Sequence, residues 1–239
     1  MSTTQDRPAT GAAGVPAART VPLITVAHGT RNVLGNETSR EITRRAAERL
    51  GVEGTATYVE LSEPLFADVL AGADRPAVVV PLLLSTGFHM RSDLPEAVAG
   101  AGAPVTMGAS LGPDPMLAQA QVARLVEAGA TRGQRVVLVA AGSSDADATD
   151  DQLTAVSLLS RAWDGPVRLA TLSGLGERPA DVVRPGDVVA PYLLSPGFFH
   201  ERIAREVPEG TIVADVIGVH ECVVQLVVDR ATALMASRV

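Results

Sequence analysis

Four stretches of the chain, Val21 to Ala27, Ala77 to Leu84, Arg135 to Ala141 and Asp187 to Leu194, are short, rich in Val and Leu and almost unbroken in hydrophobicity. Runs of this kind suit strands covered on both faces, as inside a parallel sheet. Between and after them, Glu37 to Leu50, Met116 to Glu127, Thr149 to Trp163 and Cys222 to Met235 mix apolar and polar positions with a helical period over helix length. With the weaker runs added, the first half predicts strands over 21–27, 55–60, 77–84 and 103–108, and the second half over 135–141, 167–172, 187–194 and 210–215. Strand and helix alternate, which predicts four βα units per half. Pro81 and Pro191 fall inside predicted strands, where a missing N–H argues against a central position. Because both halves carry the proline at the same place, it is expected to be tolerated at a bend.

The two halves are copies. Pro81-Leu-Leu-Leu-Ser-Thr-Gly-Phe88 returns as Pro191-Tyr-Leu-Leu-Ser-Pro-Gly-Phe198, identical at six of eight positions. Ala128 to Gln134, polar and glycine-containing, reads as the linker. The organisation predicted is a tail over residues 1–20, a first domain over 21–130 and a degenerate repeat over 135–239, with a cleft between the two. Each domain is expected to be α/β and flavodoxin-like, a four-stranded parallel sheet flanked by helices with strand order 2-1-3-4.

Composition removes several function classes. Twenty basic against 27 acidic residues leave a formal charge of −7, with no basic run to offset it, so a general nucleic-acid binder is excluded. A lone Cys222 allows neither an intramolecular disulfide nor a cysteine-ligated cluster within one chain, and is expected to pack in the core. Residues 1–20 lack the apolar core of a secretory signal and read as disordered, and no run is long enough to span a membrane. A cytoplasmic protein is expected.

The copies differ where chemistry would sit. His28 closes the first strand and His89 follows the third, whereas the second copy has Ala141 and Phe199. Glu60 ends the second strand. Ligands of open parallel sheets bind at the carboxyl ends of strands, and with order 2-1-3-4 the ends carrying Glu60, His28 and His89 are neighbours. Two imidazoles and a carboxylate can hold a divalent first-row metal with positions left open. His200 lies one position out of register with His89, and His220 opens the last helix; helix-start or surface roles are expected for both. Trp163 and Tyr192 read as packing.

The ordered motifs resemble one family. Val26-Ala-His-Gly-Thr-Arg31, Val59-Glu-Leu-Ser-Glu-Pro64, the Pro81 to His89 segment with its trailing Ser92-Asp-Leu-Pro95, Gly142-Ser-Ser-Asp145 and Ile217-Gly-Val-His220 are similar, in this order, to motifs of the sirohydrochlorin chelatases, the class II group of tetrapyrrole chelatases in siroheme and cobalamin synthesis. The resemblance spans roughly Val21 to Arg230. It implies a tandem chelatase fold, His28 and His89 as metal-handling residues and Glu60 as an active-site carboxylate. It implies no organic cofactor: the divalent metal, iron first and cobalt next, is itself a substrate, and the partner is sirohydrochlorin or a related anionic tetrapyrrole. Two halves in one chain make a monomer sufficient for a closed cleft.

Metal insertion removes two pyrrole protons and brings the ion to the ring with an incomplete shell, and a neutral imidazole suits both tasks. Which histidine is base and which is ligand is open from sequence. Arg31 and Arg91 lie beside the histidines and could pair with substrate carboxylates. Gly29, Thr30, Gly142 and Ser143 stand where backbone N–H groups near helix starts can approach the others. The competing readings are a tetrapyrrole or metal carrier without catalysis, and phosphoryl transfer through a histidine-glycine strand end. The latter is disfavoured because Ala27, not an arginine, precedes His28.

Overall fold

The computed structural model describes residues 21–238, so the tail expected over 1–20 lies outside the described residues. Its strands are β1 (Leu23–Ala27), β2 (Gly54–Tyr58), β3 (Ala77–Pro81), β4 (Val105–Met107), β5 (Val136–Ser143), β6 (Val167–Gly174), β7 (Val188–Tyr192) and β8 (Ile212–Val213). Its helices are α1 (Val33–Leu50), α2 (Phe66–Ala71), α3 (Phe88–Arg91), α4 (Asp93–Ala99), α5 (Pro115–Glu127), α6 (Ala146–Trp163), α7 (Pro179–Val182), α8 (Phe198–Glu206) and α9 (Glu221–Ala236). The strands form two four-stranded parallel sheets, ordered β2-β1-β3-β4 and β6-β5-β7-β8, which is the α/β architecture and the order the repeat predicts.

The prolines inside β3 and β7 have a simple account. Leu82 N donates to Val26 O on the β1 side, while Val79 O accepts from Gly108 N on the β4 side. Backbone groups alternate sides along a strand, so Pro81 faces the β4 side, and β4 has already ended at Met107. Pro191 stands likewise beyond the end of β8, past the Ala214 N to Val189 O bond. Neither missing N–H removes a bond from the ladder.

Helices α1 and α6 start earlier than their apolar periodicity predicts because each has an N-cap. Asn32 accepts from Leu34 N and Gly35 N, and Asp145 accepts from Asp147 N. Such caps satisfy N–H groups that the helix itself leaves unpaired. The short helices α2, α3, α4 and α7 span too few turns to show a period. Pro95 explains why α3 and α4 are separate: its ring conflicts with the Arg91 carbonyl four residues back, so the helix begun at Phe88 breaks at Ser92. In the second half the same stretch has no proline and runs unbroken as α8.

The core has three layers of apolar packing. One face of each sheet turns inward, and Leu23, Ile42 and Tyr58 of the first half share a cluster with Leu138, Trp163 and Val227 of the second. The outer faces carry separate clusters, around Ile24, Val26 and Phe66 in the first half and Val137, Val139 and Ile203 in the second. Helix α1 packs on α9, and α5 on α6 and α9. The halves therefore exchange equivalent helices about a pseudo-two-fold axis. Trp163 is fully buried and donates Nε1–H to Gln134 O at 2.8 Å, and Cys222 is half-buried against the shared cluster. Tyr192 is packed as expected and does more: its hydroxyl donates to Leu84 O at 2.9 Å, tying the two repeated segments to each other. Among the described residues no helix is long and apolar enough to cross a membrane.

Candidate functional site

His28 is the residue after β1, and the chain turns there on Gly29, whose φ is +94°. A Cβ on Gly29 would stand 1.8 Å from the Glu60 carbonyl oxygen, so only glycine lets the two segments meet. Glu60 N then donates to His28 O at 3.1 Å, extending the β1–β2 pairing two residues beyond Tyr58. The same turn holds Thr30, whose hydroxyl accepts from Asn32 N at 3.1 Å, and Asn36, whose amide donates to Thr30 O at 2.7 Å and Ser62 Oγ at 2.9 Å. His89 comes from α3, immediately beyond the β3 loop.

These elements bring three side chains together. His28 Nε2 lies 3.4 Å from Glu60 Oε1, and the His28 and His89 rings meet edge to face with centroids 4.7 Å apart. One ligand atom from each of His28, Glu60 and His89 lies within 4.8 Å of the other two. At about 2.1 Å per bond, two ligand atoms on one ion stand no more than about 4.2 Å apart. The side chains of His28 and Glu60 are half exposed, so a small rotation closes the difference.

Hydrogen bonding orients the His89 ring. His89 Nδ1 stands 2.5 Å from Asp93 Oδ2, and a carboxylate oxygen only accepts, so Nδ1–H donates to Asp93 and Nε2 is the atom turned toward the site. His28 has an acceptor beside each ring nitrogen, Gly29 O 3.2 Å from Nδ1 and Glu60 Oε1 3.4 Å from Nε2. Asp93 is the site residue that sequence reasoning did not single out, although its signal was present. It lies four residues after His89, and helical geometry places such pairs side by side.

His28 and His89 line a cleft of about 990 Å³ between the halves, with Glu60 beside His28 at its edge, at the upper end of the roughly 300–1,000 Å³ usual for small-molecule sites. Gly29, Thr30, Arg31, Gly142 and Ser143 line it, as does His200, which had been expected to serve a helix start or the surface. Arg31 is exposed and has no ion-pair partner among the described residues. Arg91 is placed differently from Arg31: its guanidinium pairs with Asp145 at 3.3 Å and with Asp147, across to the start of α6, and it is not part of the cleft wall. His220 is the N-cap of α9, accepting from Cys222 N at 3.1 Å. Burial, then the nearby Arg124 charge, lower its pKa below the usual 6.5.

The second half lacks the whole constellation. Gly142, with φ +89°, repeats the turn of Gly29, and a Cβ there would stand 1.9 Å from Ser173 O. Ser173 is therefore the counterpart of Glu60, a third replacement beside Ala141 for His28 and Phe199 for His89. In the register of the repeated segment, Asp93 corresponds to Ile203, fully buried in the outer core.

Residues 22–128, which contain all four site residues, match the protein family described as CbiX. Over that half the chain matches the CbiX/sirohydrochlorin chelatase family, the class II chelatases, and over its described length it has their fold. It is 30% identical over 172 residues to the sirohydrochlorin ferrochelatase of Bacillus subtilis (strain 168), covering 63% of this chain and 65% of that relative, slightly under two thirds of its length. The solved structure of SirB from Bacillus subtilis with Fe3+ is 25% identical, covers 91% of this chain and 96% of its own, and superposes with a TM-score of 0.76. The fold is also that of CbiX, described as the terminal enzyme for biosynthesis of siroheme in denitrifying bacteria, at 19% identity, 88% and 98% coverage and a TM-score of 0.68. The pattern here is one site-bearing half and one half without the corresponding side chains.

Proposed function

We propose that the chain is a sirohydrochlorin chelatase with a single site in the first of two domains, 21–130 and 135–239, and that it inserts Fe2+, or Co2+ as the next candidate, into the free-base macrocycle. The observation that carries this is the convergence of one ligand atom each from His28, Glu60 and His89 where the two histidines line the cleft between the halves. The relative of known name is a ferrochelatase and the neighbouring structure holds iron, which favours iron over cobalt.

In the reaction one divalent ion enters and two pyrrole protons leave. One imidazole can ligate the incoming ion through Nε2 while the other takes the two pyrrole protons in turn, handing each on before the next. Glu60, beside His28 Nε2, either completes the ion's shell or receives the proton from the imidazole. Arg31, at the cleft wall and without an ion-pair partner among the described residues, would meet the carboxylates of the substrate. The protein's site of action is read as the cytoplasm.

The test is to mix the protein with sirohydrochlorin and Fe2+ or Co2+ and follow absorbance. Insertion faster than the spontaneous rate, abolished by His28→Ala and by His89→Ala in folded protein, is the expected result. A rate equal to the spontaneous one, with tetrapyrrole still bound, indicates the non-catalytic carrier instead.

A further inference from the structure

Helices α1 and α6 both run along the cleft, and each places one polar residue seven positions after its N-cap: Ser39 after Asn32, and Gln152 after Asp145. The two are counterparts in the repeat. Ser39 is 3% exposed and Gln152 4%, yet both line the cleft. Neither side chain has a hydrogen-bond partner among the described residues. Among the described residues no side-chain nitrogen or oxygen is sealed away without a partner, so the polar atoms of both must open into the cleft. Other polar groups nearby are committed. Asn36 is saturated by Thr30 and Ser62, the Asp151 carboxylate accepts from Thr86 N at 2.6 Å, and the Tyr192 hydroxyl is spent on Leu84 O.

A buried amide without a partner costs stability unless something else supplies its hydrogen bonds. Two such groups at equivalent positions of the repeat, both lining one cleft, describe a place for ligand atoms. Resting on the chelatase reading above, we propose that Gln152 and Ser39 form a hydrogen-bonding subsite on the inner wall of the cleft that holds a side-chain carboxylate of the tetrapyrrole. The amide supplies two N–H donors and the hydroxyl one, and a carboxylate is acceptor-only with two oxygens to receive them. The subsite would fix how the ring enters. One carboxylated edge would point inward, leaving the pyrrole nitrogens toward His28 and His89 and the outer carboxylates near Arg31.

Binding of metal-free sirohydrochlorin, followed by quenching of its fluorescence, tests this without depending on turnover. Gln152→Leu keeps the size and removes the amide, and is expected to weaken binding roughly 10- to 100-fold, as for a lost hydrogen bond to a charged group. Ser39→Ala is expected to cost roughly 2- to 10-fold. Gln152→Glu should bind at least as weakly as the Leu variant, because two carboxylates would then face each other. Co2+ affinity measured without tetrapyrrole should match the parent in all three, since the metal-binding side chains lie on other elements.

Parent-like tetrapyrrole affinity in Gln152→Leu would mean that water occupies this wall, and overturns the subsite. Parent-like affinity in Gln152→Glu alone would mean that the ligand donates an N–H there, which also overturns it. Either result leaves the chelatase reading intact. That reading fails separately if the parent protein does not accelerate insertion, and both fail if the parent does not bind sirohydrochlorin.

Discussion

Gly29 and Gly142 do the same backbone work in the two halves, yet only Gly29 adjoins the proposed metal-binding side chains, so a matched pair of substitutions separates fold from site. Alanine at either position must adopt φ near +90°, and its Cβ would fall 1.8 Å from Glu60 O or 1.9 Å from Ser173 O. Left-handed backbone in an L-residue costs about 1–2 kcal/mol. Relieving the contact means moving the neighbouring segment by more than about 1 Å, because non-bonded carbon does not approach oxygen closer than about 3 Å.

In the first half that displacement breaks the Glu60 N to His28 O bond and strains Val59 N to Ala27 O; in the second it disturbs Ser173 Oγ to Ala141 O and Leu175 N to Ser143 O. At about 0.5–1.5 kcal/mol per hydrogen bond the total is roughly 2–5 kcal/mol in each case. Against a typical stability of about 5–15 kcal/mol both variants remain folded in the cold. Urea denaturation should show similar losses for Gly29→Ala and Gly142→Ala. Titration calorimetry with Co2+ should separate them: Gly29→Ala moves the Glu60 backbone and is expected to lose roughly 100-fold in metal affinity, while Gly142→Ala keeps it. Equal metal affinities in two equally destabilised variants would refute the assignment of Glu60 and His28 to one site.

Three further outcomes are expected. Asp93→Asn, which removes the charge holding His89 Nδ1–H, should lower Co2+ affinity roughly 10- to 100-fold with little change in the urea midpoint, and Asp93→Glu should restore part of it. Ala141→His should still bind one ion per chain by calorimetry, because the second half also lacks a carboxylate at Ser173 and a histidine at Phe199. His220 accepts the Cys222 N–H only while its imidazole is neutral, and its folded pKa lies below 6.5, so its contribution is present above that pH and is lost as pH falls toward the folded value. His220→Asn, which caps without titrating, should therefore lose less stability than the parent between pH 7.5 and 5.5, the difference being bounded by an N-cap's roughly 0.5–2 kcal/mol.

What could be read from the chain, and what could not, follows from the range over which each signal acts. The eight strands and their order were legible because doubly covered strands are continuous apolar runs, and because the repeat reported each element twice. Strand order then places Glu60, His28 and His89 on neighbouring ends. Helix starts were displaced since caps such as Asn32 and Asp145 are polar and lie outside the apolar period. The role of Asp93 was not singled out because α3 has only four residues, too few for the sequence pattern to show which side chains share a face.

The two arginines mark the limit of reading by proximity in sequence. Arg31 and Arg91 each lie within three residues of a histidine, yet only Arg31 lines the cleft, because Arg91 finds Asp145 and Asp147 across the pseudo-two-fold axis. The first half thus spends one cation on binding the second half, at the very cap that starts α6, the helix carrying Gln152. The second half, without counterparts of His28, Glu60 and His89, still has a structural role under this arrangement. It anchors Arg91, receives α1 on α9, and presents the second wall of the cleft. On the proposed function, Ala141, Ser173 and Phe199 leave no competing metal site there while the wall that would enclose the ring is kept.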